Sequence, residues 1–549
     1  MGRNKYIWLL LLFLHLSAFA EEHRFMVFLS DKASSAYSIE SPEAFLSTRA
    51  IERRQRQGIP ITEDDLPVNE GYIDQITSLG ASVFFQSRWM NAVLVQMDSA
   101  LTADISNLSF VDSIHYIAKG ARLSYEKVPF EIPESFKTPQ AISATTELQL
   151  SMLWADSMHN DGYKGEGMYI AILDAGFPGV NEYKPFEHIH TENRLIAHKD
   201  FVTNSGNPFL YSSSASAHGT SVLSTIAMDY GEEVQGIAPK ASFILCVTED
   251  VESEYRIEEY NWLLGAEFAD SVGADIINAS LGYSTFNDTT MNYTQENLDG
   301  ETAIVTWAAT KAAAKGMVVV VSGGNSGNKS WKYVTPPGDA EGILVVGSVN
   351  AQGERASFSS LGPTSDGRIK PDVMALGSPA TVFDGSGYPD RVTYGSGTSF
   401  SSPLIAGFAA AIWQANPEWT SQEVINAIKY SGNMALSPDV EMGYGIPDYR
   451  LAVTNSTLSV SDIFENKLKV YPNPFHEGKL NIDLKGVQNE RFINLVVTDL
   501  NGAALVNQRI EISGASDKHE IDFPAVCNGI YLLKVSSATY NKTIKLIKY

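Results

Sequence analysis

Three short stretches of the sequence each present one side chain of a set that can perform nucleophilic catalysis. The stretch GSGTSFSSPLIAG places Ser399 in front of a long apolar run, SAHGTSVLSTIA contains His218, and the apolar run MYIAILDAG includes Asp174 near its end. A serine hydroxyl is too weak an acid to attack a carbonyl carbon unaided. It needs an imidazole that accepts its proton and a carboxylate that orients the imidazole. The three residue types together therefore predict acyl transfer through a covalent intermediate.

Each of these residues, taken alone, also has a structural explanation. An aspartate at the end of a strand often only caps or turns the chain, and a histidine before a helix is often a cap or a surface residue. A serine at the start of a helix is usually an N-cap. A phosphate-binding loop is a further alternative for the serine stretch, but the lysine of that motif is missing. Because separate stretches supply complementary groups, we favour the catalytic interpretation for Asp174, His218 and Ser399 together.

Two further stretches predict where a substrate would lie. The run MVVVVSGGNSG predicts a strand and a glycine-rich turn that exposes Asn325, whose amide could stabilise an oxyanion; a plain turn is the alternative. The stretch NASLGY offers an exposed strand edge for an extended peptide, with an ordinary buried strand as the alternative. The substrate-binding residues predicted on this basis are Ser280, Leu281, Gly282, Gly323 and Gly324.

An α/β domain must position these residues. Residues 148–453 alternate short apolar runs such as SFILCV and ILVVGSV with alanine-rich segments such as AIVTWAATKAAAKG. Continuous apolar strands between helices indicate a parallel sheet that is covered on both faces. In such sheets reactive groups collect beyond the carboxyl ends of the strands. A helix that starts at Ser399 would direct its N-terminal N–H groups and its dipole at the oxyanion.

The rest of the chain predicts separate units on both sides of this domain. Residues 1–20 have a basic start, an apolar stretch too short to span a membrane and an A-x-A end, and we interpret them as a secretory signal peptide. Residues 21–120 predict a small α+β domain, and 121–147 and 454–467 predict linkers. Residues 468–549 contain strand-like runs and two Asn-Gly pairs, which predict an all-β sandwich.

Length, charge and cysteine content narrow the functional classes. The 549 residues are too many for one core, and 64 acidic against 40 basic side chains give a net charge of −24. This charge opposes binding to phosphates, so we expect no nucleic-acid partner. Cys246 and Cys527 lie in different predicted domains, so we expect no disulfide framework in this exported chain.

The motifs around these residues resemble those of the subtilisin-like serine peptidases over residues 148–453. The order aspartate, histidine, serine is that of subtilisin, and HGTS, GTSFSSP, GIAPKA, NASLG and GGNSG match the motifs of the family. The resemblance implies that Asp174 orients His218, that His218 is general base and then acid, and that Ser399 is the nucleophile. It also implies that Asn325 assists the N–H of Ser399 in the oxyanion hole.

The sequence departs from the family pattern at several positions. Ser221 stands where a second histidine is common, Ala175 follows the aspartate in place of threonine or serine, and Phe400-Ser401 replace methionine-alanine. None of these differences removes a catalytic group. They concern the shape of the pocket, not the activity.

Two further resemblances concern the flanking domains. Residues 21–120 resemble the inhibitory propeptide of the family in position and predicted fold. The tail, with VYPNPF at 470–475 and KTIKLIKY at its end, resembles the C-terminal sorting domain of type IX secretion in Bacteroidetes. These resemblances imply a precursor with two partners besides its substrates, namely its own propeptide and the outer-membrane type IX machinery, with the tail removed there.

We therefore predict a secreted serine endopeptidase, extracellular or on the outer cell surface. It hydrolyses peptide bonds in proteins and peptides through an Asp-His-Ser triad and an acyl-enzyme, with a broad, rather apolar preference before the scissile bond. A surface adhesin built on a retired peptidase fold and an esterase with the same triad are the alternatives.

No cofactor is required by this chemistry, and no metal ligands are predicted. Structural calcium is an expectation that rests on the resemblance. An insertion supplies suitable oxygens but no ligand spacing that we recognise, so a solvated loop is the favoured interpretation. The oxygens belong to Asn287, Asp288, Glu296 and Asp299.

Overall fold

The computed structural model describes two compact units, residues 1–453 and 454–549. The described residues are 22–33, 35–120, 144–204, 207–209, 215–231, 233–385, 391–454 and 469–548, the last range without 474, 477–478, 484–491, 500–502, 512–517, 525 and 537–540. The predicted signal peptide and most of the two predicted linkers lie outside them. Their boundaries stay predictions.

The N-terminal domain, residues 22–120, combines a four-stranded antiparallel sheet with helices on one face. Its elements are β1 (Glu22–Leu29), β2 (Ser82–Ser87), β3 (Ala92–Asp98), β4 (Val111–Lys119), α1 (Thr48–Arg56), α2 (Glu70–Ser78) and α3 (Thr102–Ser106). The strand order is β2-β3-β1-β4. Because side chains alternate along β1, Phe25 and Val27 pack with Ile76 and Ile105 of the helices, whereas Met26 packs on the next domain. The predicted α+β fold is confirmed.

The central domain, residues 144–453, is built around a seven-stranded parallel sheet. Its strands have the order β11-β10-β9-β8-β5-β7-β6, and β12 and β13 form a separate antiparallel pair. The strands are β5 (Tyr169–Asp174), β6 (Leu195–Asp200), β7 (Ser242–Val247), β8 (Ile276–Ala279), β9 (Val318–Ser322), β10 (Leu344–Asn350), β11 (Val373–Ser378), β12 (Ala380–Phe383) and β13 (Val392–Gly395). Every residue of β7, β8 and β9 is buried, so the sheet is covered on both faces, as predicted.

Helices cover the two faces of this sheet and create two cores. The helices are α4 (Glu147–Ser151), α5 (Ala155–Asn160), α6 (Glu187–Thr191), α7 (His218–Ala227), α8 (Ile257–Val272), α9 (Ile304–Ala314), α10 (Thr398–Ala415), α11 (Ser421–Tyr430) and α12 (Tyr449–Ala452). Ile172 of β5 points into the core that contains Phe408 of α10. The preceding Ala171 points into the core that contains Trp262 of α8. The long apolar body of α10 is therefore a layer of the core, which keeps the start of this helix in place.

The N-terminal domain is joined to the central domain by buried ion pairs. Arg54 of α1 and Arg88, which follows β2, each approach Asp270 of α8 to 2.7 Å, and Arg53 pairs with the same carboxylate. Arg54 also pairs with Asp65 at 2.8 Å, within the N-terminal domain. One aspartate of the central domain thus holds three arginines of the N-terminal domain.

The N-terminal domain also binds the carbonyl groups at the end of α8. The backbone N–H of Ser47 donates to Ser271 and its hydroxyl donates to Val272, both at 2.9 Å. Arg49 Nε donates to the carbonyl of Gly273 at 3.1 Å. Carbonyls at a helix C-terminus have no partner within the helix. The N-terminal domain therefore completes α8.

The second unit contains two antiparallel sheets around one apolar core. Its strands are β14 (Lys469–Tyr471), β15 (Lys479–Asp483), β16 (Phe492–Thr498), β17 (Ala504–Glu511), β18 (Lys518–Asp522), β19 (Gly529–Ser536) and β20 (Asn541–Lys548). The sheets have the orders β14-β15-β18 and β17-β16-β19-β20. Ile482 and Ile521 of the first sheet pack with Leu495 and Leu533 of the second. The predicted β-sandwich is confirmed.

Two negative findings concern the described residues. Both cysteines are free, Cys246 buried and Cys527 exposed. Among the helices of the described ranges, none combines the length and the apolar character that crossing a bilayer requires.

Candidate active site

The predicted catalytic side chains lie beyond the carboxyl ends of neighbouring strands, where an α/β sheet places its reactive groups. Asp174 is the last residue of β5, Ser280 follows β8 directly and Asn325 lies three residues after β9. His218 and Ser399 lie in the first turns of α7 and α10. Because β9, β8 and β5 are adjacent in the sheet, the segments that follow them meet at one edge.

A hydrogen bond joins the predicted carboxylate and imidazole. Nδ1 of His218 lies 2.8 Å from Oδ1 of Asp174, and the aspartate is fully buried whereas a third of the histidine side chain is exposed. Oδ1 also accepts a hydrogen bond from the N–H of Ala175 at 2.7 Å. Oδ2 is buried and has no hydrogen-bond partner among the described residues. This contact orients the imidazole with Nδ1 toward the carboxylate and leaves Nε2 for a reacting group.

Asp174 raises the pKa of His218. Burial of the imidazole lowers its pKa, but the negative charge of Asp174 and the hydrogen bond between the two side chains outweigh burial, so the pKa lies above its ordinary value of 6.5. The neutral form, which alone accepts a proton, is therefore fully populated only on the alkaline side of that value.

Gly219, the glycine of the HGTS stretch, occupies a position where no larger residue fits. A Cβ on Gly219 would lie 2.4 Å from the carbonyl oxygen of Gly176 and 3.0 Å from the Cβ of Asp174. A larger residue would force the aspartate or the first turn of α7 to move. Close packing here fixes the distance between carboxylate and imidazole.

Ser399 is the second residue of α10, and Gly397 occupies the N-cap position. This excludes the N-cap alternative for the serine. Its Oγ donates to the carbonyl oxygen of Ser280 at 3.4 Å, and no hydrogen bond joins it to His218 in the described structure. The ring of the next residue, Phe400, lies 6.1 Å from the imidazole ring, which places the start of α10 close to His218.

A hydrogen-bond network ties the start of α10 to the segment after β8. The hydroxyl of Ser280 donates to the carbonyl of Ser399 at 2.8 Å and lies 3.1 Å from Oγ of Ser402. The hydroxyl of Ser402 donates to Oδ1 of Asn278 at 3.1 Å, and both of these residues are fully buried. The network fixes the backbone of Ser399 relative to the predicted substrate segment.

The side-chain amide of Asn325 is oriented by Thr398. Oδ1 of Asn325 accepts hydrogen bonds from the backbone N–H of Thr398 at 2.9 Å and from its hydroxyl at 3.1 Å. The N–H of Gly324 donates to the same hydroxyl at 3.2 Å. With its oxygen held in this way, the amide keeps its Nδ2 donors for another acceptor. Thr398 was not predicted to contribute to the site, although it stands directly before Ser399 in the motif.

The structure divides the stretch that was predicted to offer an exposed strand edge. β8 ends at Ala279 and lies between β9 and β5, so the strand itself is buried and has no free edge. Only the segment after it leaves the sheet, with Ser280 buried, Leu281 partly buried and Gly282 exposed.

Thr335 lies between the two glycine-containing segments that we predict to bind substrate. A Cβ on Gly282 would lie 2.1 Å from Oγ1 of Thr335, and a Cβ on Gly324 would lie 3.2 Å from the same atom and 3.0 Å from Oγ of Ser360. Gly323 is buried, and its N–H is bound to the carbonyl of Val346. Thr335 and Ser360 were not predicted from the sequence, because neither lies in a recognisable motif.

Three of the four side chains considered for calcium accept hydrogen bonds from backbone N–H groups. Asn287 accepts from the N–H of Glu254, Asp288 from that of Thr290, and Asp299 from that of Thr302, while Glu296 is exposed. Within the described ranges, no group of three or more His, Cys, Asp or Glu side chains could hold a metal ion. Calcium binding stays a prediction.

A parallel α/β domain with a helix-start serine and an Asp-His pair at its strand ends has the architecture of a serine hydrolase. Comparison with known proteins defines the family. The model of the subtilase family, Peptidase S8, matches residues 165–445, and the chain belongs to this family of serine endopeptidases. The Bacteroidota Peptidase S8 propeptide domain matches residues 24–129, and the secretion system C-terminal sorting domain matches 469–549.

The similar proteins include bacterial subtilisins. Subtilisin NAT of Bacillus subtilis subsp. natto is 29% identical over 373 residues, which cover 66% of this chain and 81% of the relative. Subtilisin of Bacillus pumilus is 32% identical over 281 residues, covering 50% and 87%. Among solved structures, MycP1 from Mycobacterium smegmatis is 21% identical with a TM-score of 0.44, covering 58% of this chain and 87% of that one.

These matches confirm several predictions. The chain is a serine endopeptidase with a propeptide domain and a C-terminal sorting domain, and it is a secreted or cell-surface protein.

Proposed function

We propose that this chain is the precursor of an endopeptidase whose active site consists of Asp174, His218 and Ser399 and which hydrolyses peptide bonds in proteins through an acyl-enzyme. The observation that carries the proposal is the 2.8 Å contact between His218 and the buried Asp174, next to the helix start that bears Ser399. The roles of the three side chains follow from their chemistry.

The nucleophile is Oγ of Ser399, and Nε2 of His218 accepts its proton as Oγ attacks the carbonyl carbon. Oγ now faces the carbonyl of Ser280, and rotation about the Cα–Cβ bond exchanges this contact for one with Nε2. At 3.4 Å the existing contact is at the long limit of a hydrogen bond, so little is lost on rotation. Catalytic hydrogen bonds often form fully only when substrate is bound.

The negative charge of the tetrahedral intermediate is stabilised by Asn325 and by the start of α10. Nδ2 of Asn325 and the N–H of Ser399 donate to the oxyanion, and one such donor contributes about 2.7 to 4 kcal/mol in the transition state. The imidazolium, stabilised by Asp174, then donates its proton to the leaving amine. Water attacks the acyl-enzyme by the same route and restores the serine.

An extended peptide lies between the segment 280–282 and the pair Gly323–Gly324 in our proposal. The glycines at 282 and 324 let Thr335 pack directly against the backbone of both segments. Thr335 and Ser360 are buried and uncharged, and the hydroxyl of Ser360 accepts a hydrogen bond from the N–H of Ser326. We propose a broad, rather apolar preference before the scissile bond.

The flanking domains act before and during export. The N-terminal domain is the inhibitor and folding partner of the enzyme, which its buried ion pairs with α8 support. The C-terminal unit is the signal read by the outer-membrane type IX machinery and is removed there. The proposal includes no cofactor.

The test is labelling of the secreted protein with a serine-directed fluorophosphonate, followed by mass spectrometry of the intact chain and its peptides. We expect one label on Ser399, and neither label nor turnover in Ser399→Ala, which accumulates precursor if maturation is autocatalytic. Ser401→Ala is the matched control, because it removes a buried hydroxyl without a partner two residues further along the same helix. Turnover by Ser399→Ala, or a label on another residue, refutes the proposal.

A further inference from the structure

A cavity of about 380 Å³ lies where the N-terminal domain meets the central domain, and none of its lining residues belongs to the candidate active site. Its volume falls in the range of small-molecule sites, roughly 300 to 1,000 Å³. Both domains contribute aromatic walls. The lining aromatic residues are Phe45, Phe84 and Phe85 of the N-terminal domain and Phe201 and Phe268 of the central domain.

An ammonium group without a carboxylate partner lies in this cavity. Nζ of Lys199, on β6, lies 5.1 Å from the ring centre of Phe201, 5.4 Å from that of Phe85 and 5.7 Å from that of Phe268. It forms no hydrogen bond or ion pair with the residues that the structure describes. Aromatic faces attract a cation and hold it in place, but they do not replace the oxygen acceptors that three N–H donors require.

The other charged groups of the cavity wall are already paired. The carboxylate of Glu267 accepts hydrogen bonds from the hydroxyl of Ser87 and from the N–H groups of Arg88 and Trp89. The guanidinium of Arg88 donates to Asp270 at 2.7 Å. The cavity therefore presents, beside an aromatic surface, the positive charge of a partly exposed lysine that has no counter-charge among the described residues. Burial lowers the pKa of Lys199.

We propose that this cavity binds a small organic carboxylate that carries an aromatic or short aliphatic tail. The carboxylate pairs with Lys199 and supplies the missing acceptors, and the tail packs on the phenylalanine rings. A singly charged ligand fits this cavity better than a phosphate dianion, because one lysine would leave the second negative charge buried and unpaired.

Binding is coupled to the position of the N-terminal domain. Because both domains line the cavity, the ligand binds only while they are in contact, and by linkage it stabilises that contact. Binding itself does not depend on the catalytic roles proposed above. The effect of the ligand on activity does rest on these roles. A ligand that keeps the inhibitory N-terminal domain bound keeps the precursor inactive for longer.

The experiment is calorimetric titration of the full chain carrying Ser399→Ala with 3-phenylpropanoate, with the neutral 3-phenylpropanamide as the matched probe. We expect one site for the carboxylate and at least about tenfold weaker binding of the amide, because the amide lacks the charged hydrogen bond to Lys199. Lys199→Met should weaken binding of the carboxylate to the same extent. Lys240→Met should leave it unchanged, because this lysine of the same domain is exposed and pairs with Glu192.

A second probe makes the test independent of any variant. Acetate has the charge but no tail, and we expect it to bind at least about tenfold more weakly than 3-phenylpropanoate. Absence of binding by 3-phenylpropanoate, equal affinity for the amide or for acetate, or unchanged affinity in a folded Lys199→Met chain overturns the proposal. Mass spectrometry of the titrated sample shows whether the precursor stayed intact, so a failure of the catalytic assignment is detected separately.

Discussion

Asp174 and His218 differ in their exposure, and this difference determines how they act on each other. The carboxylate is fully buried whereas a third of the imidazole side chain is exposed. Solvent screens a buried charge weakly, so the charge of Asp174 acts strongly on its neighbour. Asp174 thus determines both the orientation of the His218 imidazole and the pH at which this imidazole can accept a proton.

The first prediction concerns the pH dependence of catalysis. Because the pKa of His218 lies above 6.5, kcat/KM should be low in acid and should rise with pH, with a midpoint above 6.5. Asp174→Asn removes the charge that raises this pKa, so the midpoint should fall and kcat should drop by about 10⁴. Rate profiles on a peptide substrate measure both. A flat profile between about pH 5 and 9 contradicts the role of His218 as base.

The second prediction concerns the oxyanion donor. Asn325→Ala should lower kcat by about 10² to 10³ and change KM little, because its amide binds the charge that develops only in the transition state. Steady-state kinetics on the same substrate measure the two constants. Asn328→Ala, at an exposed position of the same turn, is the matched control and should behave like wild type. A rise in KM with unchanged kcat would show that Asn325 binds substrate instead.

The apolar pattern of the sequence predicted the strands. Contacts between residues that are far apart in the sequence were not predicted. β7 and β9 are apolar at nearly every position, and the sequence assigns them to a covered parallel sheet for that reason alone. The contact of Ser402 with Asn278 joins residues 124 positions apart, and Thr335 reaches the site from a loop without a motif. Such contacts depend on how the sheet is assembled, and no local pattern records them.

The third prediction concerns the acidic start of α8. Burial, together with the charges of Glu249 and Glu254, raises the pKa of Glu258 far above 4.5, so the folded state keeps a proton that the unfolded state releases. This costs stability as pH rises above 4.5, by about 1.4 kcal/mol per pH unit while the folded carboxyl stays protonated.

Glu258→Gln should therefore raise Tm at pH 7, and the gain should shrink toward pH 4.5. Thermal unfolding of the Ser399→Ala chain at the two pH values measures the effect. Glu252→Gln, at an exposed position in the segment before α8, is the control and should change Tm little at either pH. A gain in Tm that does not vary with pH would show that ionisation of Glu258 is not its cause.

At the scale of the whole molecule, the contact between N-terminal and central domains depends on charge. Asp270 faces three arginines, and their charges hold its pKa below the usual range in spite of burial. A carboxylate with a lowered pKa stabilises the folded arrangement above its unfolded pKa, and this contribution is lost as pH falls below 3.8. The two domains should therefore remain together through the physiological range.

The fourth prediction tests this contact. Asp270→Asn leaves three buried guanidinium groups without their shared counter-charge, a change that costs about 3 to 5 kcal/mol. After limited proteolysis of the linker in the Ser399→Ala chain, gel filtration should show that the variant releases its N-terminal domain, whereas the parent retains it. Asp64→Asn breaks the more exposed pair with Lys311 and should cost at most about 1 kcal/mol. Retention of the domain by Asp270→Asn contradicts the prediction.

The completion of α8 by Ser47 and Arg49 has a consequence for the life of the enzyme after maturation. In the maturation that we propose, the N-terminal domain is removed, and the carbonyl groups of Ser271, Val272 and Gly273 then lose those partners. The mature chain then lacks the hydrogen-bond donors that paired with the carbonyl groups at the end of α8 in the precursor. We expect the lifetime of the folded mature enzyme to depend on the height of the barrier to unfolding and not on the free energy of unfolding. Melting should show hysteresis on cooling, and adding the severed domain back should abolish it.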